Sequence, residues 1–337
     1  MQYVLRDRDE VDESFVRKTT KIIENVARKM KLDEDLPVFY ISFYKDWEDA
    51  KRKLFAGIPL SDFETKIGEW GLASLKSDLE WGYVGHIYLI EKNLKGHDEK
   101  ALIGLIAHEL GHVRKGVDDG YKTFHSQTLI DFYTSSFKPY FSGKNLYLVV
   151  YDCLRMPEEY WATKNAVDAG FIEELFKEHE ISISFSLTLT KKQSNEELLN
   201  IFREIYKKCP HFCLQNTWRI LSDYTFRFAS ICALLTHQKT PEEIKQKIKK
   251  LVEETDELQP YTANARKRIR EDFTFDPKKY LNEFNIPEIM LSHFLTFTRE
   301  FANITYLPSV EEQEKHIKEK YEEIKDLVKK YNELINY

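Results

Sequence analysis

The chain is short of cysteine, glycine, proline and long apolar runs, and each shortage excludes a class of protein. Its 337 residues include only 4 cysteines, so no disulfide framework is expected and a reducing compartment fits. With 12 glycines and 10 prolines it is neither collagen-like nor of low complexity. No apolar run approaches the ~20 residues that cross a bilayer, and the first residues lack the apolar core of a signal peptide. We therefore expect a soluble, cytoplasmic protein without a membrane span.

Positive charge is not in excess either. The chain has 50 lysines and arginines against 56 aspartates and glutamates, a net charge of −6, and nothing favours nucleic acid as a partner. Hydrophobic residues make up 42% and aromatic residues 14%, enough for a sizeable core. The length suggests two domains. We predict a first domain over residues 1–175 and a helical C-terminal domain over residues 176–337.

The strongest signal is the sequence His108-Glu-Leu-Gly-His112, which has the form H-E-x-x-H and lies in a segment with helical periodicity. Residues four apart lie on the same face of a helix, so the two imidazoles can bind one metal ion. Glu109 lies about 100° further round the helix, so its carboxylate can reach a water at the metal without being a ligand. This pattern predicts a zinc peptidase in which His108 and His112 bind zinc and Glu109 is the general base.

The flanking residues predict where this helix begins and ends. Asp98 is a suitable N-cap, with the acidic Glu99 in the first turn. Arg114 and Lys115 suit the last turn, and Gly116 suits the position just after the helix. The motif is therefore expected in the middle of a capped helix.

Two readings compete for the third ligand that a catalytic zinc requires. The local candidate is Asp118, which follows His112 at the spacing of the third ligand in metzincins. That pattern also requires a glycine three residues after the second histidine, where this chain has Lys115, and Gly116 comes one place late. Met156 could stand for the Met-turn of that clan, but one methionine is no evidence by itself.

The distal candidate is Glu159. The segment 155–170 predicts a second helix with Pro157 in its first turn. Ala162 shares a face with Glu159 and is small enough for close helix packing. We favour Glu159 as the third ligand, with the neighbouring Glu158 as the alternative within the same helix.

The combination of the H-E-x-x-H motif with Glu159-x-x-Ala162 resembles the gluzincin clan of zinc metallopeptidases. The further spacing through Ala166 and Gly170 resembles the membrane metallopeptidases of the CAAX-protease and heat-shock type and the small soluble minigluzincins. The resemblance covers residues 36–171. It implies a zincin-like domain that hydrolyses peptide bonds with a zinc-activated water and Glu109 as general base. The ligands of one Zn²⁺ would be His108, His112 and Glu159.

One position departs from the clan pattern. The aspartate that follows the alanine is Thr163 here, and in the clan it accepts a hydrogen bond from the outer nitrogen of the first histidine ligand. Thr163 can accept such a bond without charge, and Asn165 is another candidate for the role. This departure supports an alternative function, a catalytically weak or inactive gluzincin scaffold that acts as a protein-interaction module. A zinc hydrolase of non-peptide amides is a third reading, and the intact Glu109 favours an enzyme.

The remaining pattern predicts an α+β fold that is mostly helical. Strands are expected at residues 38–44, 82–90 and 181–190, and helices at 11–31, 47–55 and 62–76. The chain after 194 is expected to be almost wholly helical, with one helix from Pro241 to Glu254. The resemblance implies that 82–90 is an edge strand, and Gly82 and Gly85 would permit a substrate peptide to add antiparallel to it. An ordinary strand that leads into the zinc helix is the equal alternative. The helical half is expected to form a wall of the cleft, with blocking the cleft or binding a protein partner as alternatives.

A second metal site is a weaker hypothesis. Cys209 and Cys213 flank His211, and Cys232 could join them. The paired Cys-x-x-Cys spacing of structural zinc sites is absent. Buried free thiols are the preferred interpretation of these cysteines.

Overall fold

The computed structural model groups the chain into two compact units. It describes residues 1–54, 71–120, 130–131, 133–135, 138, 143–190, 230–231, 233–258, 312, 315 and 319. The first unit comprises Met1–Lys122, Trp161–Ile181 and Thr236–Ile244. The second comprises Thr123–Tyr160, Ser182–Leu235 and Lys245–Tyr337. The predicted division at residue 175 stays a prediction.

The fold is α+β and mostly helical, as predicted. The strands of the described part are β1 (Gln2–Arg6), β2 (Val38–Tyr44), β3 (Gly71–Asp78) and β4 (Gly82–Ile90). Its N-terminal helices are α1 (Glu13–Lys29), α2 (Leu32–Asp35), α3 (Trp47–Leu54), α4 (Glu91–Leu94) and α5 (Glu99–Asp118). They are followed by α6 (Gly143–Asp168), α7 (Ile172–Thr190) and α8 (Glu242–Leu258). None of the described helices combines the length and apolar character of a bilayer span.

The four strands form one sheet in the order β1-β2-β4-β3. β1 pairs with β2 and β2 with β4 in parallel, whereas β3 and β4 are antiparallel. The prediction that residues 82–90 form an edge strand is therefore wrong, because β3 covers that edge of β4. Val84, Ile87 and Leu89 are all buried, which fits a strand with covered neighbours on both sides. The edge of the sheet on this side is β3.

β3 also overturns part of a helix prediction. Residues 62–76 were expected to be helical, but 71–76 lie in β3, and 62–70 fall outside the described residues. Leu72 and Leu75 are three apart, a spacing that a helix shares. Pairing with β4 along its whole length decides the conformation, because a long-range ladder outweighs a weak local preference.

Helix α1 covers one face of the sheet. Its Asp12 N-cap accepts a hydrogen bond from the Ser14 N–H at 2.7 Å, and the Phe15 ring packs edge-on against Phe43 with ring centroids 6.1 Å apart. Ile23 is fully buried on the same helix. Burying a side chain of this size contributes about 1.5–3 kcal/mol to the free energy of folding, so the packing of α1 stabilises this part of the fold. The helix confirms the prediction for residues 11–31.

Helix α5 begins as predicted and ends later. The Asp98 carboxylate accepts hydrogen bonds from the N–H groups of Lys100 and Ala101 at 2.9 and 3.2 Å. The helix continues to Asp118, and the left-handed residue just beyond it is Gly120, with φ of +66°, rather than Gly116. An ion pair one helical turn apart, Arg114 with Asp118, supports the extra residues.

Two predictions for the following segments are wrong. Helix α6 begins at Gly143, so Pro157 lies in its interior and not in a first turn. Residues 181–190, expected as a strand from their alternating Ile, Ser, Phe, Leu and Thr, belong to helix α7. α7 starts nine residues earlier in a sequence without β character, and a helix that has begun extends at low cost. Helix α8 confirms the helix expected from Pro241 to Glu254.

Candidate metal centre

His108, His112 and Glu159 come together in space. One ligand atom from each lies within 4.8 Å of the ligand atoms of the others, and this is the single such group in the described part of the chain. The two imidazole rings meet edge to face, with centroids 4.9 Å apart. His108 is 9% exposed and Glu159 is 7% exposed, whereas His112 is partly exposed. Two imidazoles and one carboxylate are the donor set of a catalytic zinc, so these residues could hold a metal ion.

Glycine and alanine bring the two helices of the site together. A Cβ at Gly111 of α5 would collide with the backbone of Ala162 on α6. The Asn165 side-chain amide donates a hydrogen bond to the Gly111 carbonyl at 3.2 Å. Ala162 and Ala166 are fully buried, which confirms the role predicted for the small residues of this helix. Helix α6 is continuous, so this contact also sets the position of Glu159, less than one turn before Ala162.

Thr163 contacts the outer nitrogen of the first histidine. Its Oγ1 lies 2.9 Å from Nδ1 of His108, and Thr163 is fully buried. If Nδ1–H donates to this hydroxyl, the Nε2 lone pair of His108 is left for a metal ion. The contact expected of the clan aspartate is therefore present, with a neutral side chain in its place. Asn165 does not take this role, because its amide bonds to Gly111.

Glu109 is outside the donor group and is held by a strand. Its Oε2 accepts a hydrogen bond from the backbone N–H of Ala73 at 2.9 Å, and both residues are buried. In an antiparallel pair, main-chain groups point alternately towards and away from the partner strand. The Ala73 N–H bonds to Glu109 and not to β4. The main-chain N–H and C=O of Ala73 therefore point away from β4, to the outer edge of β3. Sequence reasoning missed this partner, because it placed Ala73 in a helix.

The other sequence candidates are not part of the group. Asp118 is exposed and accepts hydrogen bonds from Nε and Nη2 of Arg114 at 2.9 and 2.6 Å. Its carboxylate therefore pairs with a guanidinium. Glu158 precedes Glu159 on α6 but is not one of the three donors. The cluster around Cys209, with His211, Cys213 and Cys232, lies outside the described residues.

His86 is also separate from the group. Its Nε2 lies 3.1 Å from Oγ of Ser42 on the neighbouring strand. Burial, together with the positive charges of Lys76 and Arg6, lowers the pKa of His86 to about 4. The imidazole is therefore neutral at pH 7, and its hydrogen bond links β2 to β4.

A substitution tests how α5 and α6 are spaced. We expect Gly111→Ala to destabilise the protein by about 1–3 kcal/mol, because the methyl group pushes against the backbone of Ala162. We also expect weaker zinc binding, since Glu159 would move away with α6. Thermal melting and a zinc titration of the same sample measure the two effects.

Gly104→Ala is the matched control for this substitution. Gly104 lies on α5 as well, but its Cβ would collide with the backbone of Glu174 on α7. We expect a similar loss of stability with unchanged zinc affinity. Equal zinc affinity in the two variants would contradict the role of the Gly111 contact in placing Glu159.

Comparisons with known proteins add no evidence on the function of this centre. No protein-family model, curated protein or solved structure matches the chain. The resemblance to gluzincins therefore depends on the motif residues alone. The geometry that bears on it is the grouping of His108, His112 and Glu159.

Proposed function

We propose that the protein is a zinc-dependent metalloendopeptidase. The observation that carries this proposal is the convergence of His108, His112 and Glu159, with ligand atoms within 4.8 Å of one another. Glu109 lies next to His108 in sequence and is kept out of the donor group by a hydrogen bond to β3. A metal-binding triad with a separate buried carboxylate beside it is the arrangement that hydrolysis of a peptide bond requires.

The donor set fits zinc. Imidazole nitrogens and one carboxylate suit this ion, and three protein ligands leave a position open for water. When bound, Zn²⁺ lowers the pKa of a water towards about 7 and polarises a carbonyl group. The 2.9 Å contact of Thr163 with Nδ1 orients the His108 ring and would leave Nε2 to bind the ion.

Glu109 moves the proton. It accepts a proton from the attacking water and passes it to the leaving amine as the C–N bond breaks. The Ala73 N–H holds one carboxylate oxygen at 2.9 Å, so the base is oriented before substrate arrives. This preorganisation matters because a base contributes only when it is within hydrogen-bond reach of the proton.

The substrate is a peptide in extended form that adds to the sheet. No strand in the described part of the chain pairs with the outer edge of β3. Because main-chain groups alternate, Leu75 and Ser77 turn theirs to the same edge as Ala73. An antiparallel peptide on this edge would bring a peptide bond towards Glu109. The proposed binding strand is thus β3, in place of the β4 expected from sequence.

A second candidate function is an interaction scaffold with weak or no activity. The specific observation in its favour is that Thr163 is neutral where the clan has a carboxylate, since a charged partner makes the histidine a stronger ligand. The intact Glu109 favours the enzyme. A location in the cytoplasm and a partner for the C-terminal half remain predictions from the sequence.

Zinc content and proteolysis of the same wild-type sample test the proposal. We expect one zinc per chain by elemental analysis and hydrolysis of casein that a chelator abolishes and added zinc restores. Zinc without hydrolysis of casein or of quenched peptides would favour the scaffold. Hydrolysis that survives complete removal of zinc would contradict the proposed mechanism.

A further inference from the structure

The turn between β3 and β4 presents two large apolar side chains to solvent. Leu79 is 110% exposed and Trp81 is 43% exposed. Between them stands Glu80, also exposed. Leucine and tryptophan side chains exposed side by side on a short turn indicate a binding surface, because leaving both in water is unfavourable unless a ligand covers them. We call Leu79 and Trp81 the hairpin tip.

The hairpin tip is held in a fixed conformation. Oδ1 of Asp78 accepts hydrogen bonds from the N–H groups of Glu80 and Trp81, at 2.9 and 3.1 Å. Gly82, which pairs with Asp78, has φ of +76°, the left-handed conformation that closes a three-residue hairpin loop. The turn therefore depends on Asp78 and Gly82, and its conformation does not require apolar residues at 79 and 81.

The hairpin tip lies at the end of β3, the strand whose outer edge contacts Glu109. β3 runs without interruption from Ala73, whose N–H holds Glu109, to Asp78, which begins the turn. Five residues of strand span about 17 Å. A peptide extended along the outer edge of β3 would therefore reach the hairpin tip about five or six residues from the bond being cleaved.

We propose that Leu79 and Trp81 form a specificity site for an apolar side chain of the substrate. The inference rests on the proposed function. An antiparallel peptide runs from the hairpin tip towards Ala73, so the recognised residue lies on the N-terminal side of the cleaved bond, at the fifth or sixth position from it. Tryptophan and leucine offer a flat apolar surface that binds leucine, phenylalanine or methionine side chains and disfavours charged ones.

Cleavage-site profiling tests the inference. Wild-type protein with its zinc is incubated with a library of peptides, and the cut positions are read by mass spectrometry. We expect enrichment of apolar residues at the fifth and sixth positions N-terminal of the cut. The double variant Leu79→Ser with Trp81→Ser should lose the enrichment, and its kcat/KM should fall about tenfold on peptides that carry the apolar residue. Peptides without that residue should be cut at the wild-type rate, and zinc content should not change.

Glu80→Ser is the matched control, because it alters the same turn without touching an apolar side chain. It should keep the wild-type profile. Cleavage with no preference at these positions, or a preference that survives the double variant, would overturn the inference and leave the proposed function intact. A double variant that loses binding to phosphatidylcholine vesicles or loses self-association, with an unchanged profile, would overturn it in favour of those occupants. Absence of any cleavage by the wild type would overturn the proposed function and this inference together.

Discussion

Glu109→Gln is expected to bind zinc normally and to lose hydrolysis. A general base contributes about 10²–10⁴-fold to the rate, so kcat/KM should fall by at least about 10²-fold. The amide is nearly the same shape as the carboxylate, and its oxygen can still accept the Ala73 N–H bond, which is 2.9 Å long in the wild type. The fold and the metal centre are thus preserved while the proton acceptor is removed.

The measurement is kcat/KM on a quenched peptide, with zinc content from the same preparation. Glu99→Gln is a suitable control, because Glu99 lies on the same helix and pairs with Lys18 on the surface. It should leave both quantities unchanged. Turnover by Glu109→Gln near the wild-type rate would remove Glu109 from the mechanism, whatever its zinc content.

Glu159→Ala is expected to lose zinc. Removing groups that only orient a ligand weakens metal binding about 10–100-fold, so removing a ligand should cost at least the upper end of that range. The two histidines that remain lie edge to face on one helix and do not complete a three-ligand site. Competition against a chromophoric chelator gives the zinc affinity of the purified variant.

Two controls separate the alternatives for the third ligand. Glu158→Ala changes the neighbouring acid on α6, and Asp118→Ala removes the carboxylate that pairs with Arg114. Both should bind zinc as the wild type does. If Asp118→Ala loses zinc while Glu159→Ala retains it, the metzincin-like interpretation of the sequence was the better one.

The parts of the site that follow from local sequence could be predicted. Asp98 caps α5, and the H-E-x-x-H spacing puts His108 and His112 on one face, because both features depend only on helix geometry. The grouping with Glu159 also followed, since the pattern of small residues fixed which face of the second helix packs. The Thr163 contact to His108 was likewise a foreseeable consequence of that face.

The parts that depend on long-range pairing could not be predicted. Ala73 holds Glu109 only because β3 pairs with β4, and the leucine spacing of β3 resembles that of a helix. The prediction for residues 181–190 was wrong in the opposite sense. Their alternating pattern predicted a strand, but they continue the helix that begins at Ile172. In both segments the local pattern is weak, and the neighbouring elements decide.

The two glycines of α5 concentrate the mutational sensitivity of the domain at positions that carry no chemistry. At Gly104 and Gly111 the backbone of a neighbouring helix occupies the space of a side chain. At these two positions main chain packs directly on main chain, which brings the helices closer than intervening side chains would allow. One methyl group added at either glycine is therefore expected to cost stability, although neither glycine contributes a side chain to the centre.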